Sequence, residues 1–184
     1  MKRIHGIIIS AFLISSCGFS DSFVMRKHLK SFMSETVTVP HGLQGIDSSG
    51  ISYYKDTLLL PKLVIYYDSS ACNDCEVSHL TDMEWLYRKS ARSKAFEVLI
   101  IFSPIPEEYT ALRNMLEVHD FPYPVYIDFD GRFRRANRFI PSDVIFHSFL
   151  IDASGKILYV GNPSLSSELS EAFERSLSTL KVSR

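Results

Sequence analysis

Residues 65–75 read IYYDSSACNDC, an apolar stretch that gives way to small polar residues and then to two cysteines three positions apart. The chain holds three cysteines in all, and two of them stand here. By spacing alone such a pair fits a redox centre, half of a metal site or a small structural bridge. Upstream, LLLPKLVIYY (58–67) is rich in apolar, β-branched and aromatic residues, the pattern of a strand buried on both faces. Downstream, Val77, Leu80, Met83 and Tyr87 recur at helical spacing, which predicts a helix over 72–91. Thr81-Asp82-Met83-Glu84 matches a capping box, so a break or kink is expected near Thr81.

Outward from this centre the pattern stays regular. AFEVLIIF (95–102) predicts a second buried strand. Pro106 suits the first turn of a helix whose apolar face is Tyr109, Leu112, Met115 and Leu116. YPVYIDF (123–129) predicts a third strand, ended by Asp130-Gly131. HSFLID (147–152), ASG and KILYVG (156–161) read as an antiparallel hairpin, and Leu169, Ala172, Phe173, Leu177 and Leu180 as a closing amphipathic helix. Before the central stretch, FVMRKHLKSFM (23–33) suggests a short helix, ETVTVP (35–40) a first strand, and HGLQGIDSSG (41–50) a turn-rich connector. Helical crossovers require a parallel portion and the hairpin an antiparallel one, so a mixed sheet covered by helices is expected.

The 184 residues, 46% hydrophobic and 22% charged, suit one domain with a short appendage. Twenty basic against 21 acidic side chains argue against a general nucleic-acid binder. The start, MKRIHGIIISAFLISSC, has a basic tip and an apolar run too short to span a bilayer, as in a secretory signal. Ile14-Ser15-Ser16-Cys17 resembles a bacterial lipobox, which implies lipidation at Cys17. The expected organisation is a lipoprotein signal peptide over 1–16, a lipid-anchored tether and leading segment over 17–50, and the main domain over 51–184. Lipid on Cys17 leaves Cys72 and Cys75 as the remaining pair, in an exported setting.

A buried strand entering Cys-x-x-Cys at a helix start, followed by the FLID-ASG-KILYVG hairpin and a last helix, resembles the thioredoxin superfamily over residues 58–180. More narrowly it is similar to the lipid-anchored, extracytoplasmic thioredoxin-like proteins of bacteria. The resemblance implies a thioredoxin-like three-layer α/β sandwich, with a mixed central sheet and helices on both faces. It also implies a thiol–disulfide oxidoreductase of the bacterial cell envelope, in which Cys72 attacks and Cys75 resolves. Three positions depart from the family pattern. Ala71 replaces the tryptophan before the first cysteine, Tyr66 aligns with the buried acidic residue, and His147 aligns with the cis-proline facing the disulfide.

Cys72 at a helix N-terminus would have its thiolate favoured by unpaired N–H groups, with Ser69 and Ser70 as caps. Cys75 would then resolve a mixed disulfide. Asp74 in the first turn competes for the same positive potential, which implies a reducing poise. His147 is either an acid–base or ligand neighbour of the sulfurs or a hydrogen-bonded residue filling the proline's space. The alternative functions are a copper or other metal-binding protein using Cys72, Cys75 and His147, and a redox-inert adaptor. His79 is read as an exposed helix residue, Trp85 as core packing, and Arg132, Arg134, Arg135 and Arg138 as a solvated loop or an acidic-partner dock. No resident cofactor is implied. The expected partners are exported proteins bearing thiols or disulfides, an upstream electron donor and the membrane, with the chain a monomer.

Overall fold

The structure, a computed structural model, describes residues 17–56 and 59–182, with side chains described from residue 23 to 180. The expected signal peptide over 1–16 and the side chain of Cys17 therefore lie outside the described residues. The backbone of Cys17 opens helix α1 (Cys17–Met33). Two short strands follow, β1 (Gln44–Asp47) and β2 (Gly50–Tyr53), then β3 (Lys62–Tyr67), α2 (Asn73–Ser78), α3 (Glu84–Ser93) and β4 (Glu97–Phe102). The chain continues through α4 (Tyr109–His119), β5 (Val125–Ile127), α5 (Arg132–Ala136), β6 (Ser148–Ile151), β7 (Ile157–Val160) and α6 (Ser167–Val182).

The seven strands among the described residues make one sheet in the order β2-β1-β5-β4-β3-β6-β7. β3, β4 and β5 run parallel, because helices carry the chain back between them, while β6 and β7 add antiparallel. Side chains alternate across the sheet and so build two cores. Leu63, Ile65, Ile100 and Phe102 pack with Leu86 of α3, Leu112 of α4 and Phe173 of α6. On the other face Val64, Tyr66, Ile101 and Phe149 pack with Phe32 of α1 and Phe133 of α5. Helices thus cover both faces of a mixed sheet.

Several expectations change at the edges. ETVTVP is not a strand. It makes a single bridge, Thr36 to Lys156, and both backbone groups of Thr38 are taken by the Asn137 side chain at 2.8 Å. The connector over 41–50 instead holds β1 and the turn into β2, where Ser49 donates to Asp47 Oδ1 from N–H and hydroxyl. That hairpin straddles residue 50, and Phe32, Val37 and Leu43 upstream are buried in the core. From Phe32 onward the leading segment is therefore packed on the sheet, while residues 23–28 are exposed.

The helix after the cysteines does break, between α2 and α3, through a 3₁₀ turn over Leu80–Met83. Thr81 does not cap it, since α3 begins after Met83 without a side-chain cap. Trp85 is not core packing. It is partly exposed and donates from its indole to Ser164 Oγ at 3.1 Å. Arg132, Arg134 and Arg135 of the arginine-rich stretch lie on the short helix α5, and Arg138 in the turn after it. The helix is started by Asp128, whose Oδ2 accepts the N–H groups of Phe133 and Arg134 at 3.0 and 3.3 Å.

The β6–β7 turn is fixed by Asp152, which accepts from Ser154 and Lys156. Burial alone would raise its pKa, but these hydrogen bonds hold the carboxyl below its ordinary value. Gly155 in this turn has φ +88°, and its carbonyl accepts from Val37 N at 2.9 Å. A side chain there would collide with the Val37 carbonyl, so the close approach of the leading segment requires glycine. Among the described residues no helix is long and apolar enough to cross a membrane.

Candidate functional site

Strand β3 delivers the chain to the carboxyl end of the sheet, where Tyr66 N donates to His147 O at 2.8 Å. Asp68 then closes a tight turn. Its Oδ1 accepts from Ser70 N and Oγ at 2.9 and 2.6 Å, and its carbonyl accepts from Ala71 N at 3.1 Å. Burial alone would raise the Asp68 pKa, but the Ser70 hydrogen bonds and the nearby His147 and Arg134 hold it below the ordinary carboxylate value. Ser70 therefore serves this turn, and Ser69 accepts from Arg134, so neither caps the next helix. α2 is capped by Cys72 itself, in an extended conformation and with no side-chain cap bond.

Cys72 and Cys75 form a disulfide with their Cα atoms 5.3 Å apart. Both residues are exposed, as is Asp74 between them. Asn73 donates to Glu108 Oε2 at 2.8 Å and so ties the cysteine turn to the segment leading into α4. Asp74 and Glu76 stand in the first turn of α2. Beneath, Tyr67 is half-buried against Phe102, and burial and then the Glu76 carboxylate raise its pKa far above the ordinary phenol value.

His147 is buried at the start of β6, on the same end of the sheet. Its ring meets Tyr66 edge-on with centroids 5.4 Å apart, and its Nε2 lies 2.9 Å from the Pro141 carbonyl. A carbonyl only accepts, so Nε2 carries the proton and donates. The histidine is thus held by its own loop. His79 lies away from this cluster, exposed and 3.0 Å from Asp82 Oδ2. Among the described residues no three His, Cys, Asp or Glu side chains gather as a metal-binding group, so the alternative ligand set of Cys72, Cys75 and His147 is not assembled in this disulfide-bonded form.

The arginines read from the sequence as a solvated loop or an acidic-partner dock stand beside the cysteine turn. Arg134 Nη1 lies 3.4 Å from Ser69 Oγ, within hydrogen-bond reach. Arg134, Arg135 and Arg138 border a cavity of about 370 Å³ together with Tyr66, Asp68 and His147. The Tyr66 hydroxyl is buried beside Ser103, whose own hydroxyl donates to Asp128 Oδ2 at 3.5 Å and whose oxygen can accept from the phenol. The run of arginines was the one sequence signal for this cavity.

No protein-family model matches the chain, and no curated protein matches it significantly in sequence. Its fold, however, is similar to solved structures. A putative thiol:disulfide interchange protein DsbE from Chlorobium tepidum superposes with a TM-score of 0.51 at 17% identity, covering 78% of this chain and 97% of that one. A thioredoxin-family thiol:disulfide interchange protein from Chlorobium tepidum TLS gives 0.49 at 21% identity over 79% and 96%. The C-terminal domain of a putative thiol-disulfide oxidoreductase from Bacteroides thetaiotaomicron gives 0.49 at 15% over 80% and 99%. The first of these likenesses, added to a buried strand, a cysteine turn, a helix and a closing hairpin in that order, identifies the chain as a thioredoxin-fold protein with its cysteine pair at disulfide distance.

Proposed function

We propose that this protein is a membrane-tethered, extracytoplasmic thiol–disulfide oxidoreductase of reducing poise, acting on exported proteins that carry disulfides. The observation that carries the reading is the exposed Cys72–Cys75 pair, with Cys72 as the N-cap of α2 directly beyond a buried strand. A pair buried in the core would serve as a staple, and a four-residue loop gains little entropy from closure. In the reduced protein the Cys72 thiolate attacks a substrate disulfide, forms the Cys72–substrate disulfide and expels one substrate sulfur as thiolate, which takes up a proton. The Cys75 thiolate then attacks the Cys72 sulfur, closes the Cys72–Cys75 disulfide and releases the second substrate sulfur. Two electrons pass to the substrate, and an external dithiol restores the pair.

Cys72 suits the attacking role because the N–H groups of the first α2 turn face it. The reducing poise is supported by the short length of α2 and by Asp74 and Glu76 in its first turn. Both weaken the positive potential that would stabilise a thiolate, and a less stabilised thiolate makes the reduced form a better reductant. The lipobox-like Ile14-Ser15-Ser16-Cys17 supports the tether, with Cys17 as the lipidated residue. Two lipid chains would suffice for firm anchoring.

The test is trapping in cells. Cys75→Ser leaves the attacking sulfur without its resolving partner, so it should accumulate mixed disulfides that a reductant releases. Cys72→Ser should accumulate none. Equal trapping by both variants, or by neither, would sink the assignment.

A further inference from the structure

The cavity beside the cysteine turn carries more positive charge than the fold uses. Arg134, Arg135 and Arg138 are exposed, and none of them forms an ion pair with a described residue. Arg132 is different, spending its charge on Asp130 at 2.9 Å. Asn137, which also borders the cavity, is fully engaged by Thr38 and Phe133 and acts as a brace. Among the described residues Asp68 is the one carboxylate on the wall, and its Oδ1 is occupied by Ser70. Arg134 gives an N–H to Ser69 and Arg135 one to the Asp130 carbonyl, yet neither charge is paired, so the three arginines lining this wall outweigh its single described carboxylate. The volume of about 370 Å³ falls within the range of small-ligand pockets.

We infer that this cavity is a carboxylate-binding subsite that selects disulfide substrates bearing a negative charge close to the reacting sulfur. The inference rests on the redox reading and names the substrate class of that site. Guanidinium is the side chain best matched to a carboxylate, offering two parallel N–H donors. The distance also fits. The Asp68–Ala71 turn brings its ends within about 7 Å, and one more Cα step of about 3.8 Å reaches Cys72, so cavity wall and sulfur-bearing residue lie within about 11 Å. A carboxylate one or two residues from a substrate cysteine spans that gap. Arg134 is anchored on Ser69 and so positions the charge relative to the turn.

The same chemistry comes from two sources, the carboxylates of a small peptide disulfide or an acidic residue flanking a cysteine in an exported protein. The test is stopped-flow oxidation of the reduced full chain by four probes: glutathione disulfide, an acidic peptide disulfide, the neutral 2-hydroxyethyl disulfide and the cationic cystamine. The expected order is anionic over neutral over cationic. In Arg134→Gln/Arg138→Gln the ratio of anionic to neutral rates should fall about 10-fold. Arg175→Gln, an exposed charge on α6, should leave that ratio unchanged. Loss confined to glutathione disulfide assigns the subsite to small thiols, and loss confined to the peptide assigns it to proteins. If the neutral probe reacts but the double variant keeps the wild-type ratio, the subsite is wrong while the redox reading stands. If no probe oxidises the pair, the redox reading fails and the subsite falls with it.

Discussion

Lys62, at the first position of β3, is a charge buried within the fold, and Lys62→Met is the perturbation that tests how the sheet tolerates it. Its side chain is 3% exposed. Nζ donates to the Leu60 carbonyl at 2.7 Å and lies 3.1 Å from Asp56 Oδ2 and 3.8 Å from Glu97 Oε2. At an effective dielectric of about 20 these separations correspond to gross attractions of about 5 and 4 kcal/mol, most of which the desolvation of the three ions offsets. Methionine fills a similar volume but leaves two carboxylates under the sheet without a cation, which costs about 3–5 kcal/mol at neutral pH. Burial, and then Asp56, raise the Glu97 pKa above its ordinary 4.5 even with Lys62 pulling it down. A raised carboxyl favours the fold below its unfolded pKa, and that contribution is lost as pH rises through the folded value. Removing Lys62 raises the folded value further. The penalty should therefore shrink by about 1 kcal/mol or more between pH 7.5 and 5.0, and Lys62→Met/Glu97→Gln should recover part of it at pH 7.5. Urea unfolding of the oxidised protein at both pH values measures this. A penalty below about 1 kcal/mol, or one that does not vary with pH, would refute the reasoning.

Phe32→Ala should destabilise the protein by about 3–5 kcal/mol, because the ring is buried edge-on against Phe146 and Phe149. An unfolding midpoint like that of the wild type would show that α1 is dispensable to the domain. Cys17→Ala should move the protein from the membrane fraction to the soluble one and abolish lipid labelling, and a variant that still carries lipid would remove the proposed anchor.

The part of the fold that was legible in the sequence is the part whose elements bury a continuous apolar run. LVIYY and VLIIF dictate β3 and β4 because the sheet covers both of their faces, and the C-terminal helix shows its period because it covers one. The β1–β2 hairpin escaped because each strand has four residues and every residue of β2 is exposed, so no alternation survives to be read. ETVTVP misled for the opposite reason. Its local alternation is genuine, but tertiary structure offers Thr38 a side chain, Asn137, in place of a strand partner.

At the site, local and distant information divide in the same way. The cysteine pair is legible because three residues and one turn of helix make it. What surrounds it depends on sheet register. The pairing of Ile65 with Ser148 sets His147 one step beyond the ladder and beside Tyr66, and the start of α5 at Asp128 then aims Arg134 at Ser69. The resemblance aligns Tyr66 and His147 with the family's buried acid and its proline, and in this fold the two rings meet each other, so a change at either is felt by the other. With Arg134, Arg135 and Arg138 they form a wall that carries positive charge up to the cysteine turn.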